Sequence, residues 1–442
     1  MTEGAPPEGD ANTVDETATR RRPGTKTPGL IVVHAGTTPC VQVLGLERGR
    51  LTFGRNHRAI AGLDDDRVSR EHFDVSVVDG CWTVRDRGSR NGTSVDGVQV
   101  RGTVRLAAMP RVIRAGHTIA IASNDVTPFA GVATLETDDG VVAGPATRAA
   151  REAIAEAGRS SPTLLLRGES GTGKEIAARW FHALGPNARG PMVAVNCAAI
   201  PEGVAERVLF GATRGAYSGA TGTNVGYFQA ADGGALFLDE IAELDMAVQG
   251  KLLRATENGE VLMLGETRAR KVDVRICCAT HRDLRELVSE RTFRSDLYYR
   301  IGAHEVVLAP LHSRAEEIPW LATQAVRRVD KGLGVHARLV EECILRPWPG
   351  NVRELLHAME VAARAALREG EGVVRVDHLR DDAGKATETD AAPVALDRAA
   401  IEQALAASDG SVAGAARTLK LHRTQLYRLL RKHGIEPRPE PH

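Results

Sequence analysis

Eight consecutive residues carry the most pointed chemistry in this chain: Gly168, Glu169, Ser170, Gly171, Thr172, Gly173, Lys174 and Glu175. Glycines at this spacing let backbone N–H groups turn inward onto phosphate oxygens, and Lys174 supplies a point charge for the outer phosphates. The flanks fit a strand before the loop and a helix after it. Thr163 to Leu166 is a short apolar run, and Ile176, Ala177, Trp180, Phe181 and Leu184 recur at helical spacing before Gly185-Pro186 stops the helix. The helix N-terminus adds its positive end to the same phosphates. Glu175 stands where a general phosphate loop has the Ser or Thr that binds Mg²⁺, so the metal must take more of its support elsewhere. Ala235 to Leu238 reads as a buried strand ending in Asp239 and Glu240. At such a strand end one carboxylate holds Mg²⁺ through water and the next polarises the attacking water.

Two other groups of residues suggest binding. Gly54-Arg55, Ser69-Arg70-Glu71-His72 and Ser89-Arg90-Asn91-Gly92-Thr93 place guanidinium, hydroxyl and amide donors in separate loops, a set that suits one phosphate. From Ser411 to Ile435 every charged residue is positive: Arg417, Lys420, Arg423, Arg428, Arg431 and Lys432. That is a local basic surface, since 57 Lys and Arg balance 57 Asp and Glu over the whole chain.

The elements that position these groups fall into three domains, as 442 residues would suggest at roughly 100 to 200 residues each. Residues 1–28 are rich in Pro, Glu, Thr and Arg with few large apolar groups, and are expected to be a disordered tail. Over 29–126 the texture alternates, as at Phe73, Val75 and Val77, and Asp79-Gly80 and Asp96-Gly97 are hairpin signals, so an all-β sandwich is expected. Residues 127–139 read as a linker. Apolar runs at 164–166, 192–195, 235–238 and 272–279 then alternate with helical patterns, which predicts a parallel sheet covered by helices over 140–382. After a second linker at 383–393, residues 394–442 show short helices with a tight turn at Lys420 to His422, the pattern of a helix-turn-helix. The six cysteines are scattered without metal-ligand spacing and are expected to be reduced core residues. The chain has no stretch of membrane-spanning length and no apolar signal core at its start, so a cytoplasmic protein without membrane attachment is expected.

The loops of the first domain resemble the forkhead-associated (FHA) domain, whose pattern is Gly-Arg, Ser-x-x-His and Asn-Gly at about these intervals. The resemblance implies binding of a phosphothreonine-containing protein or of a kinase. Arg55, Ser69 and Arg70 match phosphate-contacting positions, Asn91 matches a clamp on the peptide backbone, and His72 matches a residue that holds the loop. Thr13, Thr17, Thr19, Thr25 and Thr27 place potential targets in the chain's own tail.

The second domain closely resembles the central AAA+ domain of bacterial enhancer-binding proteins, the activators of sigma-54 RNA polymerase. The likeness is carried by Met192 to Ile200, Leu209-Phe210-Gly211, Leu236 to Leu244, Lys251 to Arg254, Val272 to Arg275, Phe293 to Arg300 and Trp348 to Leu355. A Glu after the phosphate-loop lysine is usual in that family. The resemblance implies an α/β P-loop ATPase with a helical lid at about 312–382. Gly168 to Glu175 and Arg353 would bind ATP, Asp239 and Glu240 would act on Mg²⁺ and water, and Asn196 would contact the catalytic Glu. Arg294 and Arg300 match arginines that reach into a neighbouring subunit's site, which implies a homo-oligomeric ring, usually a hexamer. Thr280 sits at the first sensor, followed by His281 where the family commonly has Asn. Gly215, Ala216, Tyr217, Ser218, Gly219 and Ala220 match the loop that touches sigma-54, with Tyr for Phe and Ser for Thr.

The last domain resembles the Fis-type helix-turn-helix, an all-α fold, with Arg423, Thr424, Gln425, Tyr427 and Arg428 as candidate contacts to double-stranded DNA upstream of promoters. The implied function is ATP-dependent activation of sigma-54 transcription under phosphothreonine control. The alternative is a DNA-binding adaptor whose ring no longer activates sigma-54.

Overall fold

The computed structural model describes residues 26–57, 65–201, 203–216, 222–386 and 398–406, together with Ser408, Gly414, Ala415, Leu419, Leu426, Leu430 and Ile435. Ten strands form the first domain: β1 (Gly29–Ala35), β2 (Thr38–Gly45), β3 (Arg50–Phe53), β4 (Phe73–Val78), β5 (Cys81–Asp86), β6 (Thr93–Val95), β7 (Val98–Gln99), β8 (Thr103–Leu106), β9 (Arg111–Ala115) and β10 (Thr118–Ser123). Asp79 and Gly80 take φ of 51° and 76° between β4 and β5, and Asp96 and Gly97 take 47° and 78° between β6 and β7. Two positive φ values in a row match the twist of the strands they join, which is why Asp-Gly signals a tight hairpin. The strands make two antiparallel sheets, ordered β2-β1-β10-β9-β6-β7 and β3-β4-β5-β8. Leu30, Val32, Phe53, Phe73, Trp82 and Ile113 fill the space between them.

One sheet of this sandwich is apolar on both faces. Every residue of β1 is buried: Leu30 and Val32 face the interior, while Ile31 and Val33 join a second core that also holds Val41, Ile119 and Ile121. That second core is completed by helices of the lid, described below. The segment before the ATPase sheet also packs inward, with Phe129 and Leu135 buried in the same cluster.

The second domain opens with α1 (Pro145–Ser160), β11 (Thr163–Arg167), α2 (Lys174–Ala183) and β12 (Met192–Asn196), followed by α3 (Ala205–Phe210), α4 (Tyr227–Ala230), β13 (Gly234–Asp239) and α5 (Met246–Asn258). A small hairpin of β14 (Glu260–Val261) and β15 (Arg270–Lys271) precedes β16 (Val274–Thr280), α6 (Leu284–Ser289), α7 (Ser295–Ile301) and β17 (Glu305–Val307). The five long-range strands are parallel in the order β12-β13-β16-β11-β17, so the phosphate-loop strand β11 lies between two neighbours. Apolar clusters on both faces of this sheet explain the continuous Leu, Ala and Cys runs that mark its strands.

The lid comprises α8 (Ile318–Val329), β18 (Gly334–Val335), α9 (Ala337–Leu345), α10 (Asn351–Arg368) and β19 (Val373–Val374). Beyond it, α11 (Arg398–Ala406) packs Ile401, Ala404 and Leu405 with Ala415, Leu426 and Leu430, the interior of the helical C-terminal domain. Of the cysteines expected in the core, four are buried, but Cys81 is exposed on a hairpin and Cys40 is half-buried. Among the described residues no helix is long and apolar enough to cross a membrane.

Candidate functional site

The phosphate loop leaves the C-terminal end of β11, where open parallel sheets form a crevice. Its first residue is tied to the next strand, since Gly168 N–H donates to Thr280 O at 3.2 Å. Thr172 folds the loop on itself by donating Oγ1 to Glu169 O at 2.9 Å, and α2 begins at Lys174. Lys174 is buried, with Nζ 3.0 Å from Gly168 O and 3.4 Å from Glu240 Oε1. Glu175 lies on the outer side of the helix and pairs with Arg179.

Asp239 ends β13, and Glu240 follows it at φ 53°, a left-handed position that costs a non-glycine residue about 1–3 kcal/mol. The turn is held by the Glu240 N–H, which donates to Asp239 Oδ1 at 3.1 Å. Burial raises the Asp239 carboxyl above its ordinary pKa, against the opposing pull of the Lys174 charge. Strand register places Asn196 of β12 beside Asp239. The Asn196 side chain, however, accepts from Ala198 N–H at 2.9 Å, and the group on Glu240 is His281, whose Nδ1 is 2.7 Å from Oε2. His281 follows the buried Thr280 at the end of β16, so two adjacent strand ends converge on one carboxylate. The hydrogen bond on Glu240 is thus made by the residue at which this chain departs from the pattern of the family it resembles.

The lid closes on the loop through its first helical turn. Asn351, buried at φ 51°, donates Nδ2 to Glu169 Oε2 and Ser170 O, both at 3.0 Å, and accepts from Leu311 N–H. Val352 N–H donates to Gly171 O at 3.1 Å. A Cβ on Gly171 would stand 2.1 Å from Gly350 O, so only glycine, here at φ 78°, admits this approach. Arg314 adds a buried clamp, with Nη2 donating to Thr172 O and Nη1 paired to the fully buried Glu317. Glu317 in turn accepts from Gly144 N–H and Thr147 Oγ1, tying the lid to the start of α1. Beside this clamp lies a cavity of about 280 Å³ lined by Val142, Gly173, Ile176, Leu321, Val352 and Leu356, apolar and continuous with the phosphate loop. The sequence reading missed it because its walls come from segments more than two hundred residues apart.

The remaining expected site residues are dispersed. Arg353 is exposed on α10 and contributes a charge felt at Asp239. Arg294 pairs with Asp296, and Arg300 donates to Thr256 O at 2.8 Å, so their bonds run within the corner of α5 and α7. Gly215 and Ala216 precede the remainder of their loop, and Tyr217, Ser218, Gly219 and Ala220 lie outside the described residues, as do Arg423, Thr424, Gln425, Tyr427 and Arg428.

In the sandwich, two loops are pinned to each other by one buried ring and a third is joined to them through the backbone. His72 Nδ1 accepts from Ser69 N–H at 2.9 Å and Nε2 lies 3.1 Å from Gly92 O. Arg55 N–H donates to Ser69 O, and Arg90 N–H donates to Ser69 Oγ. Arg55, Arg70 and Asn91 are exposed around this knot, and Asn91 Nδ2 donates to Arg67 O at 2.7 Å. Behind the loops the sandwich is docked on the lid: α9 lies against β1, β9 and β10, and α8 against β2. At the centre of the contact Glu341 of α9, 7% exposed, accepts from Ser94 Oγ at 2.8 Å and Arg114 Nε at 2.5 Å. The sequence held a signal for this interface. Leu30-Ile31-Val32-Val33 and Ile119-Ala120-Ile121-Ala122 do not alternate, which a sheet with one solvated face would require.

Comparison with known proteins accords with this construction. The family described as FHA domain matches residues 51–120, the sigma-54 interaction domain matches 141–307, the AAA+ ATPase lid domain matches 312–395, and the bacterial regulatory protein, Fis family, matches 394–433. The chain is 40% identical over 307 residues to the nitric oxide reductase transcription regulator NorR2 of Cupriavidus necator, a match covering 62% of this chain and 59% of that one. It is 39% identical over 331 residues to NorR1 of the same organism, covering 67% of this chain and 64% of that one. It thus spans about three fifths of the length of these relatives, 59% and 64%. Among solved structures, NtrX from Brucella abortus in complex with ATP is similar at a TM-score of 0.50 and 27% identity, covering 68% of this chain and 70% of that one. With an FHA domain, a sigma-54 interaction domain, an AAA+ lid and a Fis-type helix-turn-helix matched in that order, the chain belongs to the sigma-54-dependent transcriptional regulators.

Proposed function

We propose that the protein is an ATP-driven cytoplasmic activator that binds DNA upstream of a promoter and remodels the closed complex of sigma-54 RNA polymerase. The observation that carries the reading is the convergence of Lys174, Asp239 and Glu240 at the phosphate loop of a domain matched by the sigma-54 interaction family. The donor set suits a nucleoside triphosphate. The loop amides and Lys174 hold the phosphates, the apolar cavity of about 280 Å³ accepts the base, and Arg353 adds positive charge from the lid. Asp239 would hold Mg²⁺, which supplies positive charge to the phosphate oxygens. Glu240 orients the attacking water and accepts its proton. Its carboxylate is shared between Lys174 and His281. A γ-phosphate would share the Lys174 ammonium with Glu240, while His281 keeps the carboxylate in place.

Arg294 and Arg300 act across a subunit boundary in a hexameric ring, for which each must leave its partner in its own chain, Asp296 and the Thr256 carbonyl. Tyr217 and Ser218 carry the force to sigma-54, and the basic segment containing Arg423 and Arg428 reads the major groove. The FHA loops read a phosphothreonine. Its effect on hydrolysis travels through the lid, because α9 is built into the sandwich and α10 is bonded to the phosphate loop.

Promoter opening in a purified system tests the reading, with ATP compared against a non-hydrolysable analogue. Opening that needs hydrolysis is the expected result, and deletion of Tyr217 and Ser218 should abolish it while hydrolysis continues. If intact protein hydrolyses ATP and opens nothing while a control activator works, the DNA-binding adaptor reading takes its place. For the FHA loops, Arg55→Ala should weaken a phosphothreonine peptide about 10- to 100-fold, the worth of one charge-assisted hydrogen bond. Titration with the peptide and its unphosphorylated twin checks this, and equal binding of both would remove the phosphothreonine assignment.

A further inference from the structure

Between the sandwich and the lid runs an open cleft of about 880 Å³, lined from the FHA side by Arg67, Asn91, Arg114 and His117 and from the lid by His336 and Arg338. Neither domain forms it alone. Its charges sort into spent and available ones. Arg114 is consumed by Glu341, Glu342 is paired with Arg346, and Arg375 at the edge is paired with Glu371. Arg67 and Arg338 are exposed, and their guanidinium groups have no ion-pair partner among the described residues, with Asp377 the opposing carboxylate on the rim. The cleft is continuous with the phosphate-reading loops. Asn91, the candidate clamp on a peptide backbone, lines it and is bonded to the Arg67 carbonyl.

We infer that this cleft is a second subsite of the phosphopeptide site, taking acidic side chains next to the phosphothreonine and reading them with Arg67 from the FHA domain and Arg338 from the ATPase lid. This rests on the phosphothreonine reading of the FHA loops. A peptide anchored at Arg55, Ser69 and Arg70 and clamped at Asn91 continues directly into the cleft, where a carboxylate meets a guanidinium from each wall. The lid therefore takes part in choosing the ligand, which an isolated FHA domain could not do. A ligand bridging both walls also bears on the element that carries α9 and the phosphate-loop latch.

Fluorescence anisotropy on the full chain tests this with three labelled peptides: phosphothreonine with Asp and Glu flanks, phosphothreonine with Ser and Gly flanks, and the unphosphorylated acidic peptide. The acidic phosphopeptide should bind about five-fold tighter than the neutral one at low salt, and the gap should shrink as salt rises. Arg338→Ala should weaken that preference, Arg338→Ala combined with Arg67→Ala should remove it, and both should leave the neutral phosphopeptide unchanged. Arg338→Glu should reverse the preference. Arg338 is exposed on α9 and its side chain supports no packing in the core, so the variants keep the fold. Equal binding of the two phosphopeptides, or a preference that Arg338→Ala leaves unchanged, overturns the cleft subsite and leaves the FHA reading standing. Failure to bind either phosphopeptide removes both.

Discussion

Replacing Glu240 with glutamine should lower ATP turnover about 10²- to 10⁴-fold, the range for loss of a positioned general base, with nucleotide affinity kept. The substitution preserves shape and the hydrogen bond toward His281 but removes the charge that attracts the water's proton. It also removes the carboxylate that lies 3.4 Å from Lys174 Nζ. Lys174 then meets no competitor for the phosphates, so affinity should stay level or rise. Steady-state hydrolysis and titration with a fluorescent ATP analogue separate the two effects. A variant with equal losses in turnover and affinity would place Glu240 in binding and leave the water without its base. His281→Asn refines the assignment. If His281 positions Glu240, the Asn variant, which still offers one hydrogen bond, should retain more turnover than His281→Ala.

How far the sequence carries this site depends on the kind of residue. The phosphate loop, Asp239 and Glu240 were legible because backbone geometry forces their pattern: glycines where amides must face inward, and carboxylates where a buried strand ends. The two Asp-Gly hairpins were legible for the same reason, since positive φ at both positions restricts the residues that fit. Asn196 shows the limit. Its type and place suited a contact with Glu240, and register does bring it beside Asp239, yet its carboxamide oxygen accepts locally from Ala198 N–H. Side-chain partners depend on distances of an ångström, which spacing does not encode. The bonds of Arg314, Glu317 and Asn351 were invisible for another reason. Each of the three is a polar residue in an apolar or loop stretch, and its importance arises only when the lid folds back over a loop far away in the chain. The docking of the sandwich lay between these cases, written in two non-alternating strands but concealed by the expectation that a sandwich hides only one face of each sheet.

That docking yields the second large effect. Glu341→Ala should loosen the sandwich from the lid, because it leaves Arg114, 17% exposed, and the buried Ser94 hydroxyl without their acceptor. Removing one partner of a buried ion pair costs about 3–5 kcal/mol where burial is complete, and the partial exposure of Arg114 puts the expected loss somewhat lower. The apolar contact around it is substantial, since each buried Val, Ile or Leu such as Ile31, Val33 or Val340 contributes about 1.5–3 kcal/mol. Complete separation is therefore not expected from this change alone. Amide exchange should quicken in α9, β9 and β10 while the β3-β4-β5-β8 sheet and α2 keep their protection. Affinity for a phosphopeptide with neutral flanks should change little, as Arg55, Ser69 and Arg70 lie on the loops and not in the contact. Any response of ATP hydrolysis to that peptide should fall, because the path from loops to lid passes through the α9 interface. Arg114→Ala offers the internal comparison. It strands Glu341, the more buried partner, so its effect on α9 exchange should be larger than that of Glu341→Ala. Protection in α9 unchanged in both variants would mean that the apolar core alone fixes the interface and that the ion pair adds nothing to it.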